Sequence, residues 1–403
     1  MLPAWLLICC AIFNGATVFA ILAVPLHDSI RALLRPSFLW SARHGVSAVM
    51  QLQRYRNPAT ASVVNLCAAT VGWGYYLTGL PLLLWLIDAE LGVQSIWLMY
   101  VATWMGNAIK DLLSAPRPLD LLSTSEKEKL QARISSLDVS HSKEYGAPST
   151  HSMNSLAMNL YLVLALVKRG ALSPASASTC AAWVCLWSAW LAFGRVFSAL
   201  HTQGDCYLGL AYGLALAVTW SCVDQELFHF AQSSGWSPGC MLGVCGASIL
   251  LYPKPLTKPT PSHDQVVCFG GVAFGAVVGV RLVDAACLAS TSWLAVSPAA
   301  LNAAAALRSA AKLAAGGGML LAALKGSRPI FRSTLLLARR LLPKSTRQRL
   351  QPSAGSVTAN GAAAASGDDH AAVEPGARFA SYSVVGLAAV WGGHALFCAL
   401  GWS

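Results

Sequence analysis

Charged side chains are scarce in this chain. They make up 11% of its 403 residues, and only 17 are acidic. Soluble domains carry about 25%, so there is too little polar side chain to keep two or three globular cores in water. Intrinsic disorder is excluded on the same composition, because a disordered chain combines low hydrophobicity with high charge. Metal-type spacing is missing as well. The twelve cysteines form no Cys-x-x-Cys pair and no Cys/His set, and nearly all lie inside apolar runs as small packing residues. No repeat of 20–50 residues is visible. Acidic residues are absent between Arg308 and Arg349, where ten basic ones stand, so most of the net charge of +11 is concentrated there.

What is abundant is apolar side chain, 55% of the residues, with a mean hydropathy of +0.54. The fold class that follows is all-α, a polytopic transmembrane helical bundle of about eight or nine spans. A span needs about 20 mostly apolar residues. The candidate spans are 1–25, 61–87, 94–112, 153–167, 180–199, 205–223, 239–252, 266–290 and 380–401, with 239–252 short enough to be re-entrant. Residues 1–25 lack the basic start of a secretory signal and read as a retained span. Gly271, Gly275 and Gly279 form a small-residue stripe suited to close helix contact. Trp183, Trp187 and Trp190 share one helical face and read as lipid or packing contacts.

The expected organisation is an N-terminal span and basic loop (1–60), a membrane-embedded core (61–290), an Ala-rich and basic cytoplasmic segment (291–351), a disordered linker rich in Ala, Gly and Ser (352–378) and a C-terminal span (379–403). Residues 113–147 read as a polar loop, and 299–325 as a surface or partly inserted helix. The basic block is first a topology signal, since Lys/Arg-rich segments stay cytoplasmic, and second a site for anionic headgroups. It is not read as a nucleic-acid surface. No feature specifies an oligomeric state.

Three polar clusters sit at the ends of spans. The first is KDLLSAPRP, from Lys110 to Pro118, where Pro116 and Pro118 stop the helix. The second is Pro148-Ser149-Thr150-His151, directly before a span. The third is RVFSALHTQGD, from Arg195 to Asp205. Because the spans 94–112, 153–167 and 180–199 alternate in direction, all three clusters fall on one side of the membrane. A single Lys, Arg or His near a bilayer usually just snorkels, but this combination supplies three permanent cations, hydroxyls, two imidazoles and a carboxylate in one place. Such a set repels a divalent metal, so no metal and no cofactor is expected. It suits a phosphate dianion. If the chain enters a helix at Asp205, His201 and Asp205 lie one turn apart. Asp205 can then take the imidazole Nδ1–H and leave Nε2 as a nucleophile, with His151 free to act as general acid.

These residues resemble the phosphatidic acid phosphatase type 2 superfamily of lipid phosphatases, whose motifs read K-x6-RP, PSGH and SR-x5-H-x3-D. Lys110, Arg117 and Pro118 match the first, Pro148, Ser149 and His151 the second, Arg195, His201 and Asp205 the third. Thr150 stands in place of the motif glycine and Gly194 in place of the motif serine. The PSTH form, within EYGAPSTHSM, and the stretch YVATWMGNAIKDLLSAPRP resemble the sphingosine-1-phosphate phosphatase branch. The resemblance covers roughly residues 60–290. It implies a six-helix core and metal-independent hydrolysis of sphingoid-base 1-phosphates. In it, His201 is the nucleophile of a phosphohistidine intermediate, His151 the general acid and then base, and Asp205 the residue that orients His201. Lys110, Arg117, Ser149, Thr150 and Arg195 would hold the phosphoryl oxygens. Ser198 or a backbone N–H would replace the hydroxyl missing at Gly194.

The implied partners are the lipid phosphate and the bilayer, and the implied place is the endoplasmic reticulum membrane with a lumenal site. With residue 1 cytoplasmic, the Lys168/Arg169 turn and the basic block fall on the cytoplasmic side, whereas the five arginines of 27–60 would be lumenal. The alternatives are a broader lipid phosphate or polyprenyl pyrophosphate phosphatase with the same site and, from another class, a lipid-phosphate binding or transport protein.

Overall fold

The computed structural model describes residues 3–125, 143–283, 303–342 and 365–402, and its described regular elements are helices. They are α1 (Ala4–Leu22), α2 (His27–Leu52), α3 (Pro58–Ala69), α4 (Trp73–Leu82), α5 (Ala89–Leu113), α6 (Thr150–Lys168), α7 (Pro174–Phe197), α8 (Gln203–Ser233), α9 (Ser237–Leu250), α10 (Ser262–Leu282), α11 (Ala303–Leu341), α12 (Ala365–Leu387) and α13 (Gly393–Ala399). Among the described residues, five helical stretches are long and apolar enough to cross a membrane: Ala4–Leu22, Pro174–Phe197, Gln203–Ser233, Ser262–Leu282 and Ala372–Ala399. α9 is a shorter apolar helix of 14 residues. α5 and α6 match the expected positions but fall outside that apolar set, because they bury polar side chains such as Thr103, Asn107, Asp111 and Asn154. Helices of this kind are solvated by the protein itself.

The chain divides into two compact units. The first comprises Met1–Gly79, Leu98–Gln225 and Ala247–His263 and holds every candidate site residue. In it α1 packs on α8. Cys10 clusters with Ala215 and Val218, Phe13 lies against Tyr212, and Asn14 donates to Thr219 at 2.8 Å. α6 and α8 are clipped at one end by Lys168, which donates to Asp224 and to the Ser221 carbonyl, each at 2.6 Å. At the other end they touch through glycine. A Cβ on Gly209 would overlap the Ser149 carbonyl, and one on Gly213 would lie 2.6 Å from that of Met153. These are positions where only hydrogen fits.

The second unit comprises Leu80–Trp97, Glu226–Gly246 and Asp264–Ser403. The glycine stripe of α10 performs as its spacing predicts: Gly271, Gly275 and Gly279 face the α12 backbone at Phe379 and Ser383 and the following turn at Val390, with no room for a side chain. Trp85 is buried, donating to the Ala389 carbonyl at 2.8 Å. Trp183 and Trp190 of α7, in the first unit, are exposed, as lipid-facing residues would be.

Three segments depart from the sequence reading. Residues 27–60 are mostly helix α2, not a loop; no glycine interrupts it before Gly45, and Asp28 stands in its first turn, where the helix dipole favours an acid. The expected span 61–87 is broken into α3, a turn at Thr70–Gly72, α4 and a π turn at Leu83–Ile87. Gly72, Gly74, Gly79 and Pro81 all weaken a continuous helix there. Residues 365–378 of the expected linker belong to α12. Alanine is the best helix former, and Glu374 ties the segment to α11 through Arg328 at 2.6 Å while also bonding Arg378 at 3.0 Å. The helix expected over 299–325 is α11, which continues to Leu341. The remainder of that linker, the end of the 266–290 run and the last basic residues of the block lie outside the described residues.

Candidate active site

α5 delivers Lys110 on its last turn. Ser114, at φ 46°, ends the helix, its N–H bonded to the Lys110 carbonyl at 2.9 Å, and the following prolines keep the chain extended. Lys110 is fully buried. Its Nζ donates to Glu144 Oε2 at 2.6 Å and to Thr150 Oγ1 at 3.4 Å. The neighbouring Asp111 accepts from Tyr252 at 2.9 Å and Thr260 at 2.7 Å, tying residues 252–260 to the end of α5. Arg31 of α2 adds a second brace, donating to the Leu112 and Lys254 carbonyls, each at 2.8 Å.

Arg117 is also buried. Its Nε donates to the Glu144 carbonyl at 2.8 Å and its Nη1 to the Leu200 carbonyl at 3.0 Å. One guanidinium therefore joins the first and third clusters to the segment that leads into the second. Gly146 N donates to the Ala115 carbonyl at 2.8 Å, and a Cβ there would sit 2.9 Å from the Pro116 carbonyl, so this position requires glycine. Ser149 N donates to the Asp205 carbonyl at 2.9 Å. The Ser149 hydroxyl caps α6 and accepts the Ser152 hydroxyl at 3.1 Å. The first N–H groups of α6 have no intrahelical partner, and they open beside Lys110 through Thr150. A helix N-terminus set beside two buried cations is an anion site by construction.

α7 ends in a Schellman turn. Ala199 takes φ 57°, its N–H bonds the Val196 carbonyl, and the Leu200 N–H bonds the Arg195 carbonyl at 3.2 Å. This reversal brings buried Arg195 and buried His201 to the same place. α8 then starts with a capping box: Asp205 Oδ2 accepts the Thr202 N–H at 2.8 Å, and Thr202 Oγ1 accepts the Asp205 N–H at 3.4 Å. α2 backs this turn, with Ser41 against Gly204 and Gly45 against Thr202.

The expected His201–Asp205 hydrogen bond is looser than the spacing suggests. Nδ1 lies 3.7 Å from Oδ2 and makes no hydrogen bond among the described residues, because that oxygen is held by the cap. Catalytic hydrogen bonds are often long in empty sites. Burial, reinforced by the charges of Arg117, Arg195, Lys110 and His151, holds the pKa of His201 well below its ordinary 6.5. The cations outweigh the nearby carboxylate and favour the neutral imidazole. His151, the second residue of α6, is close enough for its charge to be felt at His201. A Cβ at Gly194 would meet Val64 at 3.2 Å, so that position faces α3.

All eight sequence-predicted residues are thus gathered within the first unit. Glu144, Thr202 and the α2 backing were not foreseen. Glu144 had a signal: an acid four residues before the Pro148 cluster, in a segment that must meet three cations.

Among the described residues the chain is helical, with five helices of membrane-crossing length and a buried cluster of cations around a buried histidine. Residues 91–228 match the PAP2 superfamily model. Lipid phosphate phosphatase delta of Arabidopsis thaliana is 31% identical over 255 residues, covering 62% of this chain and 59% of the relative. A probable sphingosine-1-phosphate phosphatase of Dictyostelium discoideum is 22% identical over 244 residues, 59% of this chain and 57% of the relative. A dihydrosphingosine 1-phosphate phosphatase of Schizosaccharomyces pombe is 26% identical over 245 residues, with the same 59% and 57% coverage. The chain thus spans less than three fifths of the length of these relatives. No solved structure matches it significantly.

Proposed function

We propose that this protein is an integral-membrane phosphatase that hydrolyses sphingoid-base 1-phosphates to the free base and phosphate. The observation that carries the reading is the neutral, buried His201 facing Lys110, Arg117 and Arg195 at the open end of α6. A neutral imidazole can attack, and fixed cations stabilise the charge spread over the phosphoryl oxygens in a loose transition state.

His201 attacks phosphorus, forming the N–P bond as the P–O bond to the lipid breaks. The departing alkoxide takes the proton of His151. Water, deprotonated by His151, then cleaves the N–P bond, and inorganic phosphate leaves. Lys110, Arg117, Arg195, Ser149 and Thr150 hold the phosphoryl oxygens, and Asp205 orients His201. Support for the sphingoid substrate comes from the PSTH form of the second cluster and from relatives named for sphingosine phosphates. We place the enzyme in the endoplasmic reticulum membrane with its site lumenal, the catalytic core over 61–290, and the basic stretch of α11 facing the cytoplasm.

The test is phosphate release by purified protein in detergent with EDTA, comparing sphingosine 1-phosphate with phosphatidic acid. A several-fold higher kcat/KM for the sphingoid phosphate is expected. Equal rates would point to a broad lipid phosphatase, and no release from either lipid would defeat the enzyme reading.

A further inference from the structure

The phosphate site is not left as bare cations. Glu144 lies in it, its Oε2 2.6 Å from Lys110 Nζ and 3.6 Å from Arg117 Nη2, with its side chain 12% exposed. The carboxylate thus occupies the ground that a substrate phosphate needs. The Glu144 backbone stays beside these cations, because its carbonyl accepts the 2.8 Å bond from Arg117 Nε, so the carboxylate remains within a side chain's reach of them. Once a dianionic phosphate takes over Lys110 and Arg117, the Glu144 carboxylate remains beside it as a like charge.

A lipid phosphate with no cation of its own must bear that repulsion. A lipid carrying an ammonium on the carbon next to its phosphate ester does not. Its phosphate takes the cations, its ammonium takes the carboxylate, and both pairs are exchanged with nothing left unpaired. Specificity by leaving a buried charge unmatched is a strong discriminator. We propose that Glu144 is a specificity-determining residue that binds the C2 ammonium of the substrate and so selects 2-amino alcohol phosphates over glycerolipid and N-acylated phosphates. The proposal rests on the reading of this site as a sphingoid-base phosphatase.

The test uses full-length enzyme and three lipids: sphingosine 1-phosphate, its N-acyl derivative and phosphatidic acid. Wild-type protein should favour the free amine. Glu144→Gln should cut the kcat/KM ratio of sphingosine 1-phosphate to each neutral-headed lipid at least tenfold, through a rise in KM for the amine and a gain for the other two. Glu144→Asp, which keeps the charge, should retain part of the preference and serves if the glutamine variant fails to fold. Equal loss on all three lipids would overturn the proposal, since a merely structural carboxylate acts without regard to the amine. Wild-type enzyme that prefers sphingosine 1-phosphate to phosphatidic acid yet cleaves the N-acyl form equally well would also overturn it, leaving the substrate reading intact. No preference for either sphingoid lipid over phosphatidic acid would instead defeat the substrate reading.

Discussion

Replacing Gly209 by alanine inserts one methyl group between α6, which carries His151, and α8, whose first turn follows directly on His201. The new Cβ would overlap the Ser149 carbonyl and come within 3.2 Å of Ser152 Cβ, where ordinary contact begins at 3.4 Å. Neither obstacle is the far end of a flexible side chain, so α6 must shift as a body at the turn that holds His151. Overpacking of this kind costs about 1–3 kcal/mol of stability, partly offset by the better helix propensity of alanine, about 1 kcal/mol. The larger effect is on chemistry. A shift of about 1 Å in a reacting group lowers turnover about 100-fold. The assay is kcat/KM for phosphate release, paired with thermal unfolding of the same preparation in detergent. Gly243→Ala on α9 is the control: nothing lies within 4 Å of its Cβ, so activity should be unchanged and the melting temperature equal or higher. A folded Gly209→Ala enzyme with wild-type kcat/KM would refute the idea that this contact sets the spacing of the two histidines.

His201→Ala should abolish turnover and phosphoenzyme labelling, and His151→Ala should nearly abolish turnover; a labelled phosphoenzyme from His201→Ala would remove it as nucleophile. Asp205→Asn should lose activity and also weaken the start of α8, by about 1 kcal/mol, because the same carboxylate caps the helix; wild-type rate in that variant would take Asp205 out of the mechanism. Activity should persist in EDTA and fall with vanadate, a mimic of pentacoordinate phosphorus, and strict dependence on an added divalent metal would contradict the site reading. For pH, the folded protein holds His201 neutral well below 6.5, while the unfolded chain binds that proton near 6.5. The unfolded state therefore carries more protons as pH falls below about 6.5, and stability declines in that direction. The melting temperature should drop between pH 7.5 and 5, less steeply in His201→Ala, and an identical slope would show that His201 is not the buried neutral group.

The helical, membrane-spanning class is legible in the composition, and the candidate site residues in the three polar clusters. Lys110, Arg117 and Arg195 stand out because permanent charges at the ends of apolar runs are costly unless they pair or serve a purpose, and His151, His201 and Asp205 because span alternation puts them on the same side. Segment α2 was obscured by its own arginines and by Pro36, which read as loop composition; its helix is explained by tertiary partners such as Arg31 with Leu112 and Gly45 with Thr202. Likewise Pro375 and the small residues around it read as linker until Glu374 meets Arg328 of α11. Such partners are far away in the chain, and no local pattern encodes them. Glu144 was hidden for a different reason. One acid in a mixed-charge loop is a weak signal until the fold shows which cations it faces.

Arg31 also has a consequence in time. It joins α2 to the carbonyl of Lys254, 223 residues further on. At a synthesis rate of about 5–20 residues per second, the two ends of that bond emerge roughly 11–45 s apart. Asp111 waits in the same way for Thr260, 149 residues later. Every histidine and cation of the pocket is therefore made well before the strap that steadies the end of α5. During that interval the end of α5 has Arg31 on the Leu112 carbonyl, and Lys110 has Glu144 and Thr150, but Asp111 lacks its two hydroxyl partners. The bonds from residues 252–260 to the end of α5 can form only after the candidate site residues themselves have been synthesised.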